Sequence, residues 1–176
     1  KDLMEKLGWD KYLKMQKAVL VRPFLPDTWK KSFQFGKSMD SSLKLIDGWG
    51  WIGADSAWTI VNEKFESIFS VNLPDGDNPV TMRVEAQAFL DKKACPFQDV
   101  HVYSGGKKLD EWHIEKPGVL IHETYIPDEI MGDDGSLTIR LHIPTATTYE
   151  AAGISPSKER TALRVLRIDF HCGFEK

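Results

Sequence analysis

The chain has 176 residues, 41% apolar and 28% charged, with 23 basic and 26 acidic side chains and a net charge of −3. That length fits one domain, large enough to hold a core without a covalent staple. Lys and Arg are scattered, with Lys92-Lys93 and Lys107-Lys108 as the densest pairs, so there is no basic face and nucleic acid is excluded as a partner.

Asp2 to about Leu20 reads as helix. Leu3, Leu7, Trp9, Leu13 and Leu20 recur at helical spacings, and Asp2 with Glu5 forms a capping pair. Pro23 and Pro26 then impose extended backbone and mark the best boundary in the chain. The expected division is therefore a helical segment and linker over 1–28 and a second unit over 29–176.

Short strands follow. Ser32 to Gly36 and Leu43 to Ile46 are strand-like; Phe65 to Leu73 alternates, with Phe69, Val71 and Leu73 on one side. Val80 to Ala88 is the clearest strand, holding period 2 over its whole length, as a strand with one buried face requires. Further strands are expected at Phe97 to Tyr103, Lys108 to Ile114, Val119 to Ile126, Ser136 to Ile143 and Arg160 to His171. Turn residues punctuate them, among them Gly105-Gly106, Pro117-Gly118 and Asp133-Asp134-Gly135. Pro144 to Lys158 is the longest irregular stretch, and connections of that length are usually functional or mobile. Nine or ten strands without intervening helices cannot build a parallel α/β sheet. The expected fold is all-β: an antiparallel two-sheet sandwich of jelly-roll type, with a short N-terminal helical segment.

No reaction chemistry stands out. There is no GxSxG, and Cys95 and Cys172 are 77 positions apart without metal-site spacing, so buried thiols are expected over a disulfide. Of the five histidines, His101, His113, His122, His142 and His171, four fall between inward-facing apolar positions and should face outward. A cupin-like metal site could be built from such histidines, but no HxH or HxD pair is present. The acids at Asp75/Asp77 and Asp133/Asp134 read as turn caps. No cofactor is called for; a structural calcium would need six or more converging oxygens.

The unusual stretch is Asp47 to Trp58, DGWGWIGADSAW, with three of the six tryptophans and three glycines. Sugar rings stack their apolar faces on aromatic side chains while their hydroxyls bond carboxylates and guanidinium groups. Trp49, Trp51 and Trp58 beside Asp47 and Asp55 supply both kinds of group. Large aromatics closing the end of a sandwich core are the competing explanation for each of them.

The segments DGWGWIGADSAWT (47–59), VHVYSGGKKLDEW (100–112) and PTATTYEAAGISPSKERTALRVLRI (144–168) resemble the jelly-roll β-sandwich accessory domains attached to bacterial glycosyltransferases of cell-surface polysaccharide assembly. They are similar to that family's W-G-x-W-S block, its glycine hairpin and its approach to the last strand. Arg160 falls at the family's arginine; Ser104 replaces the hairpin asparagine, and Lys158 stands where an acid is usual. The resemblance implies a non-catalytic carbohydrate-binding or substrate-positioning module, with a glycan as ligand and an upstream catalytic domain as partner. The binding residues expected are Trp49, Trp51, Trp58 and Trp112 as stacking platforms, with Asp47, Asp55 and Arg160 bonding hydroxyls or closing the site. A docking or oligomerisation domain is the alternative. The chain begins at Lys1 rather than Met and reads as a piece of something longer. No run approaches the ~20 apolar residues of a membrane span. The charged start is unlike a secretory signal, and with few cysteines this favours a cytoplasmic location.

Overall fold

The computed structural model describes residues 29–74 and 79–172. The helix expected over Asp2–Leu20, the proline linker and the acids Asp75 and Asp77 lie outside these residues.

Twelve antiparallel strands form two sheets among the described residues. The larger contains, in order, β3 (Trp49–Gly50), β4 (Ala57–Ile60), β12 (Arg160–Cys172), β6 (Val80–Ala88) and β9 (Val119–Ile126). Two further strands, β1 (Trp29–Gln34) and β11 (Thr147–Thr148), also pair with β12. The smaller runs β2 (Leu43–Asp47), β5 (Glu66–Asn72), β10 (Ser136–His142), β7 (Gln98–Ser104) and β8 (Lys107–Ile114). This is the jelly-roll sandwich expected from the strand pattern. The strands beyond those expected, chiefly β3, β4 and β11, are only two to four residues long and carry no periodicity to read.

Alternation fills the space between the sheets. β6 alternates buried and half-buried positions through all nine residues. Val80, Met82, Val84 and Ala86 lie beside Val165, Ile168 and Phe170 of β12 and Phe33 of β1 on the inner face of the larger sheet, in one cluster that continues to Phe69, Val100, Val102, Ile139 and Leu141 of the smaller sheet. Each such apolar side chain contributes about 1.5–3 kcal/mol on burial. Cys95 and Cys172 are both buried thiols. No helix among the described residues is long and apolar enough to cross a membrane.

Four of the five histidines point away from the space between the sheets, as expected. His101, His113 and His142 lie on the outer face of the smaller sheet and His171, between inward-facing Phe170 and Cys172, on that of the larger, where it is nonetheless buried; His122 turns inward and stacks on Trp112. A strand at the sandwich margin does not bury its inner face fully, so an imidazole fits there.

Gly48 carries the chain from one sheet to the other. β2 belongs to the smaller sheet and β3 to the larger, so the crossover falls at this residue. Its φ is +76°, and a Cβ there would lie 2.2 Å from the Glu66 carbonyl oxygen. Only glycine allows both the dihedral and the approach. The tryptophan-rich segment is thus the path between the two layers.

Candidate functional site

Asp47 brackets this crossover. One carboxylate oxygen accepts from the Gly48 amide at 2.8 Å, the other from Asn62 Nδ2 at 2.8 Å. Asn62 Oδ1 in turn accepts from the amides of Lys64 and Glu66. Both Asp47 oxygens are engaged in holding the turn.

Trp49 and Trp51, two residues apart, have opposite fates. Trp49 points into the sandwich, its ring 5.4 Å from Phe35 and 6.3 Å from Phe69, and its Nε1 donates to the Ile68 carbonyl at 2.9 Å. It is a core seal. Trp51 turns out, 38% exposed, with φ at +45°. That dihedral is an outlier for a bulky side chain and costs of order 1–2 kcal/mol. Strain of this kind tends to collect at ligand sites.

The strained backbone lays the Trp51 indole flat against Tyr149, with centroids 5.3 Å apart and 20° between planes. Trp58 meets Trp51 edge-on at 6.2 Å, and Tyr149 rests on Phe89 at 4.7 Å. Four rings therefore run continuously, from half-buried Trp58 through exposed Trp51 and half-buried Tyr149 to buried Phe89. Burial raises the Tyr149 phenol above its ordinary range.

Polar groups border the rings. Trp58 lies opposite Arg164 in the β4–β12 register. The Arg164 guanidinium donates from Nε to Ser56 Oγ at 3.1 Å and lies 3.5 Å from a carboxylate oxygen of Asp55. The Asp55 side chain is mostly in solvent. A partly exposed ring platform thus sits beside a carboxylate and a guanidinium, each with hydrogen-bonding capacity to spare.

Of the residues singled out in the sequence, Trp51, Trp58 and Asp55 come together here. Arg160 flanks them: its guanidinium covers the Phe65 ring at 4.8 Å, and β11 pairs it with Thr148, the residue before Tyr149. Trp112 does not belong. It is 6% exposed, stacks on His122 at 4.9 Å, and its Nε1 donates to Thr124 Oγ1 at 3.1 Å. That ring closes the sandwich between β8 and β9, and its alternation with buried Ile114 already assigns it to the inner face. Tyr149, Phe89 and Arg164 were missed. Tyr149 is the one aromatic residue of the long 144–158 stretch, and that is the only signal the sequence holds for it.

The outer face of the smaller sheet carries a second group. Arg140 donates to Glu66 at 2.6 Å and lies 4.5 Å over the Tyr103 ring, above a recess of about 180 Å³ that Ile68 and Thr138 also line. His113 bonds Asp99 at 2.6 Å, which raises its pKa, and His101 lies 3.5 Å from Glu111. No group of three or more His, Cys, Asp or Glu among the described residues is placed to hold a metal ion. At the other acidic turn, Asp134 Oδ1 caps the Ser136 amide.

No family model matches the sequence, and no curated protein matches it. Solved structures do match in shape. A mutant of the family 29 carbohydrate-binding module CBM29-2 aligns at 6% identity over 84% of this chain and 94% of its own, with a TM-score of 0.52. A structure described as a family 29 carbohydrate-binding module aligns at 6% identity over 84% and 91%, with a TM-score of 0.51. A family 29 module from Piromyces equi aligns at 9% identity over 84% and 93%, with a TM-score of 0.49. What this chain shares with the first two is the fold.

Proposed function

We propose that this chain is a non-catalytic carbohydrate-binding module that holds a glycan on the platform of Trp51, Trp58 and Tyr149. The observation that carries the reading is the Trp51–Tyr149 stack, held partly exposed by a strained backbone beside the Asp55–Arg164 pair. Such a surface meets the two requirements of sugar recognition: a flat apolar ring for the C–H face, and charged hydrogen-bonding groups at its border. The jelly-roll fold, shared with family 29 carbohydrate-binding modules, supports it. Asp55 and Arg164 bond hydroxyls in this reading, and Arg160 borders the far side. The sequence resemblance extends the proposal to the wider process: a module of a bacterial surface-polysaccharide biosynthetic enzyme, positioning polymer for an upstream catalytic domain.

Titration of the full chain with a panel of neutral and uronic-acid-containing oligosaccharides, followed by tryptophan emission and calorimetry, tests this. Trp51→Ala should weaken binding by about tenfold or more, as expected for loss of one aromatic stacking contact. Trp112→Phe, deep in the sandwich, should leave affinity unchanged. Silence across the panel at millimolar sugar, or a Trp51→Ala variant that binds as the parent does, would sink the reading.

A further inference from the structure

Six strands pair on one side only among the described residues, and five of them carry features that discourage pairing with another chain. β8 has Lys107 and Lys108 and a register shift against β7 between Val102 and Tyr103. β2 has Lys44 and a register shift between Leu45 and Asp47. β3 and β11 are two residues long, and β1 has Lys30 and Lys31. Lysines, irregularities and shortness are the usual protections of an exposed sheet margin.

β9 has none of them. It pairs with β6 without interruption over eight positions, from Val80↔Ile126 to Gln87↔Val119, and contains neither lysine nor proline. On its other side no backbone hydrogen bond forms among the described residues. Its outward side chains are Val119, Ile121, Glu123 and Tyr125; the three apolar ones are 44%, 65% and 60% exposed. Glu123 is held at 2.6 Å by Arg83 of β6. A regular, unprotected ladder of amides and carbonyls calls for another strand, and the apolar row beside it calls for apolar side chains on that strand.

A second β9 meets both needs. An antiparallel strand related to itself by a two-fold axis pairs residues whose numbers have a constant sum, and opposite residues share a face. An axis at Glu123 sets the two Glu123 carboxylates against each other. An axis at His122 instead places Val119 opposite Tyr125 and Ile121 opposite Glu123, twice over, and overlaps almost the whole strand. We propose that β9 is the pairing edge for a second copy of this chain, the two strands running antiparallel about a two-fold axis at His122 and joining the larger sheets into one.

A contact made by one strand and its outward side chains is small, and small interfaces associate weakly. Sedimentation of the full 176-residue chain from about 10 μM to about 1 mM should therefore show the mean mass climbing toward twice the monomer. Ile121→Glu sets a second carboxylate against Glu123 in each half of the contact while occupying a position already in solvent. It should raise the dimer dissociation constant by about tenfold or more and leave the thermal melt of the monomer unchanged. Tyr125→Lys, opposite Val119, serves as the second variant should Ile121→Glu fail to fold. A parent chain that stays monomeric throughout, or folded variants that assemble as the parent does, would overturn the proposal.

Discussion

At the scale of single residues, Trp51 is the position where conformation and chemistry meet. Its φ of +45° puts the backbone where only glycine rests without cost, and that backbone aims the indole at Tyr149. Strain and stacking can be separated by two substitutions. Trp51→Ala removes the ring and keeps the strained dihedral; Trp51→Gly removes both. Urea denaturation should find Trp51→Gly more stable than Trp51→Ala by about 1 kcal/mol, with ligand response reduced in both. Equal stabilities would mean that the loop relaxes once the ring is gone. Trp51 would then owe its dihedral to Tyr149 rather than to the crossover.

Among the elements, β8 and β9 close one side of the sandwich with an aromatic–imidazole stack in place of apolar packing. Trp112 lies on His122, and Thr124 Oγ1 donates to Asp110 at 2.8 Å while accepting from Trp112. Burial holds the His122 pKa below its ordinary value, with the Asp110 charge opposing more weakly. Above about pH 6.5 both folded and unfolded chains carry this imidazole neutral, so it contributes no pH dependence. Below that, the unfolded chain takes up a proton that the folded one resists. Stability therefore falls as pH drops from the unfolded value toward the depressed folded one. His122→Phe keeps a flat ring on Trp112 and removes the titration. Urea denaturation between pH 7 and 5 should show a shallower loss of stability in His122→Phe than in the parent, and parallel curves would contradict the assignment. The outer-face pair His113–Asp99 works in the opposite direction. Its raised pKa favours folding below about pH 6.5, and that contribution is lost as pH rises through the folded value.

For the whole molecule, what could be read from the sequence depends on how local each determinant is. Period 2 in Val80–Ala88 and Ser136–His142 is a property of neighbouring residues, and those strands appear where the pattern places them. The distribution of strands between two sheets depends on pairings between residues far apart, such as Trp29 with Cys172, which no local pattern encodes. The site divides in the same way. Trp51, Trp58 and Asp55 stand out because they crowd one segment; Tyr149 and Arg164 reach them only through the fold of the 144–158 stretch and the register of β12. The boundary expected near residue 28 rests on local punctuation again, and β1 gives it a physical test. β1 pairs with the last six residues of β12, and its Phe33, together with Phe35 just beyond it, is fully buried. A chain begun at Trp29 keeps every one of these contacts, whereas one begun at Lys37 loses both rings and uncovers half of β12. Losing a buried phenylalanine costs about 3–5 kcal/mol, and losing two consumes most of the stability of an ordinary domain. The 29–176 chain should therefore melt cooperatively within a few degrees of the full chain, while the 37–176 chain should show no cooperative transition by calorimetry. A 29–176 chain that does not fold would place essential contacts of the sandwich in the first 28 residues, and a 37–176 chain that melts sharply would show that β1 is dispensable.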